Sequence, residues 1–180
     1  GGVTYKSGSG DYAEWLERED ITEIIEPGDV VGVKGGKISK NTEDAELLMI
    51  ISVDPIVLGN TPEEGKEANY EKVAFMGQVP VRTYGRVRKG DILVATGGNN
   101  GEAIGVDASD ITPDQLNKVV GVAWSDSYND NGVSYVKASV GLKTRDVSEI
   151  LIKQENRLLN LEEELYSIKR FLGLDAEAKK

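Results

Sequence analysis

Cysteine and histidine are both absent from this chain. Their absence removes Cys nucleophiles, Cys-His zinc sites, Ser-His-Asp triads and imidazole proton shuttles. It also removes disulfide staples, leaving the redox compartment open. Any catalysis falls to carboxylates, Ser or Thr hydroxyls, Tyr, Lys or backbone groups. Basic residues are outnumbered, 21 Lys and Arg against 31 Asp and Glu, a net charge of −10. Nucleic acid and anionic membranes need clustered Lys and Arg, so neither is expected as a partner. No run approaches the 18 apolar residues of a membrane span, and no signal peptide is visible. Gly1-Gly2 reads as a cloning remnant, with the natural N-terminus expected upstream. Motif-like stretches fail on inspection. Gly35-Gly36-Lys37 has Ile38 where a phosphate-binding loop needs its hydroxyl. The Asn129–Gly132 stretch has Ser127 at the first position of a calcium loop and Ala138 at the twelfth, where Glu belongs. No cofactor and no metal are expected.

The last fifth of the chain carries a heptad seam. Val147, Leu151, Gln154, Leu158, Leu161, Leu165, Ile168 and Leu172 follow at alternating spacings of four and three. That 3.5-residue repeat is the condition for a left-handed supercoil. With Leu151 at a, the a positions are Leu151, Leu158, Leu165 and Leu172. The d positions are Val147, Gln154, Leu161 and Ile168. A helix cannot bury such a stripe alone, so the chain is expected to associate. Arg157 at g meets Glu162 at e, and Glu164 at g meets Lys169 at e, both attractive pairs in a parallel coil. Leu at a with Val147 and Ile168 at d leans toward three or four strands, and a homotrimer is the expectation. Gln154 is either a register-setting layer or a fray near the start of the helix.

Upstream, short apolar runs alternate with turn signals. Val30–Val33, Leu47–Val53, Val73–Val81, Asp91–Ala95, Val119–Trp124 and Val133–Val140 read as strands. Gly35-Gly36 and the Gly97–Gly101 run read as hairpin loops. Thr112-Pro113-Asp114-Gln115 reads as the start of a short helix. Between Asp11 and Ile25 the chain is acidic, with Trp15, Leu16, Ile21, Ile24 and Ile25 as anchors. Glu26-Pro27-Gly28-Asp29-Val30-Val31 matches Arg88-Lys89-Gly90-Asp91-Ile92-Leu93. That repeat fits paired half-barrels, and equally the reuse of a favourable turn. The expected organisation is a linker over 1–10, a β-rich head over 11–143, a coiled-coil helix over 144–174 and a disordered tail over 175–180. The fold class is mainly β, with a C-terminal helix forming a parallel trimeric coiled coil.

Asp11 and Glu14 follow the Gly/Ser linker directly. Two carboxylates can do peptide chemistry if one is protonated and the other ionised. A spacing of three puts both on one face of a helical turn. The same residues also read as a solvated acidic turn capping the first structured element.

Gly10-Asp11-Tyr12-Ala13-Glu14-Trp15 resembles the D-Y-A-E signature of the intramolecular-chaperone domains that end phage tail spikes and neck appendages. Pro55–Asn60, Gly77–Val81, Lys89–Val94 and Val120–Ala123 are similar to that family too, so the resemblance spans most of residues 10–141. It implies a domain that trimerises and registers an upstream β-structured fibre of the same polypeptide. It also implies, for some members, self-cleavage in the manner of a glutamic peptidase. Carried over by position, the cleaved bond would join Gly10 and Asp11, with Glu14 as the catalytic carboxylate and Asp11 assisting. The resemblance places the protein in a phage virion tail or fibre assembled in the bacterial cytoplasm, the chaperone part being released if cleaved. The rival expectation is a permanent trimeric fibre tip that binds a host surface through exposed aromatic side chains.

Overall fold

The computed structural model describes the backbone of residues 4–5, 10–141 and 144–173, and the side chains of 10–141, 151 and 153–173. The chain divides into two compact units, Gly1–Leu142 and Lys143–Lys180. The first is a β-rich head. The second carries one helix.

The head is built from β1 (Thr4–Tyr5), β2 (Asp11–Arg18), β3 (Val30–Lys34), β4 (Lys37–Ser39), β5 (Leu47–Ile51), β6 (Val57–Gly59) and β7 (Tyr70–Tyr84). It continues with β8 (Ile92–Ala95), β9 (Ala103–Val106), a four-residue helix α1 (Pro113–Leu116), β10 (Val119–Ala123) and β11 (Val133–Val140). Strands β2, β4, β3, β5 and β7 pair in that order, and β7 pairs back onto β2, closing a five-stranded barrel. The remaining strands continue from β7 through β11, β10, β8 and β9, and β9 touches β7 again at Thr83–Ala103.

Strand β7 belongs to both circuits. Its first half pairs with β2 and β5, its second half with β11. The two circuits repeat one pairing scheme. A hairpin (β3–β4, then β8–β9) lies antiparallel to the next strand (β5, then β10), and its second strand runs parallel to the entering strand (β2, then β7). The turn hydrogen bonds repeat as well. Gly28 N–H donates to Ile51 and Gly90 N–H to Ala123, while Ile51 and Ala123 donate back to Asp29 and Asp91. Asp29 and Asp91 accept the N–H of Glu26 and Arg88, at 2.9 and 2.8 Å. The repeat in sequence is therefore a repeat in structure, not only a reused turn.

Two apolar cores follow. Val31, Val33, Ile38, Ile51 and Val73 fill the first barrel, while Val30, Ile50 and Ala74 join Val79, Val81, Leu93, Val136 and others in a second cluster. Neighbouring residues of β3 and β5 thus serve different cores, as strand alternation requires. Pro80 lies inside β7, where its missing N–H would ordinarily break a ladder. Here the opposite residue, Lys137, turns its N–H to the Ser125 Oγ and its carbonyl to Trp124 N–H. No ladder bond is asked of Pro80.

Three expectations are corrected. Thr4 and Tyr5, assigned to the linker, pair with Leu58 and Val57. Asp11 to Arg18 is a strand, not a helical turn. Ile21 and Ile24 are not anchors, because both are well exposed. Trp15, Leu16 and Ile25 are partly buried, and Leu16 and Ile25 pack on the first core. The hairpin loops and the short helix stand where the turn chemistry puts them, with Gln115 Oε1 accepting Thr112 N–H at 2.9 Å. The tail over 175–180 lies outside the described residues.

Net charge is unevenly spread. Residues 11–77 hold sixteen Asp or Glu against six Lys or Arg, whereas residues 78–141 hold seven against six. The first barrel carries the acidity of the whole chain.

Candidate functional site

The chain enters and leaves the head at one corner. Gly77 in β7 is in register with Asp11 on one side and Val140 on the other. Three adjacent strands at about 4.8 Å spacing set the first and last head strands roughly 10 Å apart here. The corner requires glycine at 77. Its φ is +119°, and a Cβ there would lie 2.3 Å from the Gly10 oxygen and 2.6 Å from the Asp11 Cα. The Gly10 carbonyl accepts Gln78 N–H at 2.9 Å, and the Asp11 carbonyl accepts Ile56 N–H at 2.8 Å. Both sides of the Gly10–Asp11 bond are thus pinned by main-chain hydrogen bonds.

Asp11 is buried, with 4% of its surface exposed, and accepts the Ser52 hydroxyl at 2.6 Å. Burial pushes its carboxyl above the usual value of 3.8; the Ser52 hydrogen bond works against that, and the nearby Asp54 charge adds to it. Sequence reasoning had no signal for Ser52, a small polar residue at the end of an apolar run.

Glu14 is exposed on the other face of β2, which alternates buried Asp11, exposed Tyr12, buried Ala13 and exposed Glu14. Three residues along a strand are about 10 Å apart. The structure does not bring the two carboxylates together within one chain. A Glu14 side chain cannot span that rise to the Gly10–Asp11 bond of its own strand.

A second acidic cluster lies where the two circuits meet. Asp29 is fully buried, and its Oδ1 stands 3.3 Å from Arg82 Nη1, which also meets Glu26 at 3.3 Å. Glu102 lies 3.7 Å from Arg82 Nε, ion-pair range without a hydrogen bond. Burial raises the Asp29 carboxyl despite Glu26 N–H and the Arg82 charge. These residues come from the first circuit, the second half of β7 and the β8–β9 hairpin. The cluster is a tie between the two halves.

The helix α2 spans Thr144–Phe171 and ends at Leu172, whose N–H still bonds to Ile168, with Gly173 at φ +68°. Leu151, Leu158, Leu161, Leu165, Ile168 and Leu172 are each 50–59% exposed, and Gln154 is partly exposed. The side chain of Val147 lies outside the described residues. Leu159 and Tyr166, seven apart and off the seam, are exposed too. A seam search fixed on a and d passes over that second stripe.

Two solved structures are similar to this chain. The first is a crystal structure of the C-terminal fragment of bacteriophage phi29 gene product 12, at 17% identity and a TM-score of 0.53, covering 72% of this chain and 99% of that one. The second is a crystal structure of the pre-mature bacteriophage phi29 gene product 12, at 15% identity and a TM-score of 0.55, covering 78% of this chain and 22% of that one. The likeness is one of fold. No protein-family description matches the sequence, and no curated protein does.

Proposed function

We propose that this chain is the C-terminal assembly module of a phage tail appendage, which joins three chains and sets the register of the β-structured fibre upstream. The exposed heptad seam of α2 carries this reading. Six large apolar side chains in one stripe, each half open to water, call for partner helices of the same kind. The fold likeness supports the placement: it takes in nearly all of a C-terminal fragment and about a fifth of a longer phage protein. Joining chain ends raises the local concentration of the upstream strands to about the millimolar range, which shortens the search for a common register.

Self-cleavage at Gly10–Asp11 belongs to the proposal in one form. Glu14 would act from a neighbouring copy, because its own strand holds it about 10 Å from the bond. A second reading, a permanent host-binding tip, is favoured by Tyr84, Trp124, Tyr128 and Tyr135. All four are exposed along the second circuit, with Arg86 5.8 Å from the Tyr128 ring centre.

The test is a fibre segment fused upstream of Gly1. With the wild-type module it should refold to an SDS-resistant trimer. With Leu158→Asp and Leu165→Asp together it should not. Equal trimer yields from both would remove the chaperone role and favour the tip reading.

A further inference from the structure

A groove of about 340 Å³ opens on the head beside Gly141, lined by Leu47, Met49, Phe75, Val119 and Val140 among others. Glu46 is the one charged residue in its lining, on a barrel otherwise crowded with carboxylates. Large apolar side chains stand open around it: Leu47 is 61% exposed, Met76 44% and Phe75 42%. Phe75 is thrown out by a bulge, since Tyr12 pairs with Met76 and Ala13 with Ala74, leaving Phe75 unpaired. A bulge that turns a phenylalanine toward water in the middle of a barrel strand is a feature with a use.

Covalent reach says what can cover it. Gly141 is three residues from Thr144, the first residue of α2, so at most about 11 Å of chain joins them. In a three-stranded coil with helices 8–10 Å apart, each helix axis lies about 6 Å from the threefold axis. The Gly141 end of each head is therefore tied to within roughly 20 Å of that axis. The opposite end, at Val133 and Tyr128, lies seven strand residues further, about 23 Å along β11. Three copies bring their Gly141 corners together, and the surface they bring is apolar.

We propose that this patch, Leu47, Phe75 and Met76 beside Gly141, is the head-to-head contact between copies of this chain. The inference rests on the trimer reading and adds to it. The coil does not merely tether three independent heads; the heads close on one another at the corner where the chain enters and leaves. The acidic remainder of the first barrel faces outward, where water screens it.

The chain has no cysteine, so single introduced thiols report cleanly. Leu47→Cys, Phe75→Cys and Tyr128→Cys would each be labelled with Ellman's reagent, in the native chain and in the Leu158→Asp, Leu165→Asp background, with mass measured in parallel. Thiols at 47 and 75 should react at least tenfold more slowly than the thiol at 128 in the native background. They should become fast when the seam is broken, while 128 stays unchanged. If one of the two buried-site variants loses its near-ultraviolet dichroism, the other decides. A trimer whose 47 and 75 thiols react equally fast in both backgrounds overturns the contact and leaves the trimer standing. A native chain of monomer mass overturns both.

Discussion

Asp11 and Val140 face the same residue from opposite sides: both are in register with Gly77. The first and last strands of the head are thus neighbours of one central strand, and whatever gathers the C-termini also gathers the chain entering at Gly10. A module that holds three helices together therefore presents three upstream chains close to one axis, the geometry that registering a fibre needs.

The seam should be separable from the head. Leu158→Asp with Leu165→Asp puts charges where apolar side chains pack, each costing several kcal/mol if it stays buried. We expect a monomer that loses helical signal at 222 nm but keeps the near-ultraviolet dichroism of Trp15 and Trp124. Loss of the head signal as well would show that the head depends on the coil for folding.

The two copies of the turn should respond unequally. Asp29→Ala leaves Arg82 without its buried partner and the Glu26 N–H without its acceptor, a loss of about 3 kcal/mol. Asp91→Ala removes the matching acceptor of Arg88 N–H but no buried ion pair is printed into its geometry, so about 1 kcal/mol is expected. Denaturant melts compare the two directly, and equal losses would contradict the role given to Arg82.

Mild acid should stabilise the head. Burial is the first cause that raises the carboxyls of Asp11, Asp29 and Glu71 above their usual 3.8, 3.8 and 4.5. Their folded forms bind protons more readily than the unfolded chain does, so stability falls as pH rises from those usual values through the raised ones. Asp20 works the other way. Hydrogen bonds from Thr22 lower it, so its contribution is present above its usual value and lost as pH falls through the lowered one. The melting temperature should rise as pH is brought down from 7 toward 4 and fall below that. Asp11→Asn, which keeps an acceptor for Ser52, should flatten part of the rise. A melting temperature that drops steadily from pH 7 to 5 would contradict this.

Cleavage, if the upstream fibre licenses it, should cross between chains. In mixed trimers of a tagged Glu14→Gln chain with wild type, the Glu14→Gln chain should be cut at Gly10–Asp11 by its neighbour, whereas Glu14→Gln alone stays whole. Mass spectrometry of the tagged chain decides. Cutting confined to the wild-type chains would place Glu14 in action on its own strand, against the 10 Å separation.

Much of the fold was legible because period and turn chemistry were clean. Val30–Val33, Leu47–Ile51 and Val133–Val140 are apolar enough to declare themselves, and the Gly-Asp turns at 28–29 and 90–91 mark the duplication. Strand β2 was not legible. Its charged residues alternate outward while Asp11 turns inward, so the buried face shows a carboxylate where a hydrophobe would have signalled a strand. The double duty of β7 was also hidden, since sharing between two circuits is a long-range pairing with no local signature. At the site, the residue types Asp11 and Glu14 were visible, but their relative placement depended on strand against helix, and the strand separates them. Ser52, Gly77 and the bulge at Phe75 act only through partners distant in sequence.

The central claim is association through α2, and sedimentation equilibrium tests it most directly. The account predicts a single species at three times the 19.5 kDa of the chain, unchanged over a hundredfold dilution into the micromolar range. A native chain that sediments at 19.5 kDa would contradict it.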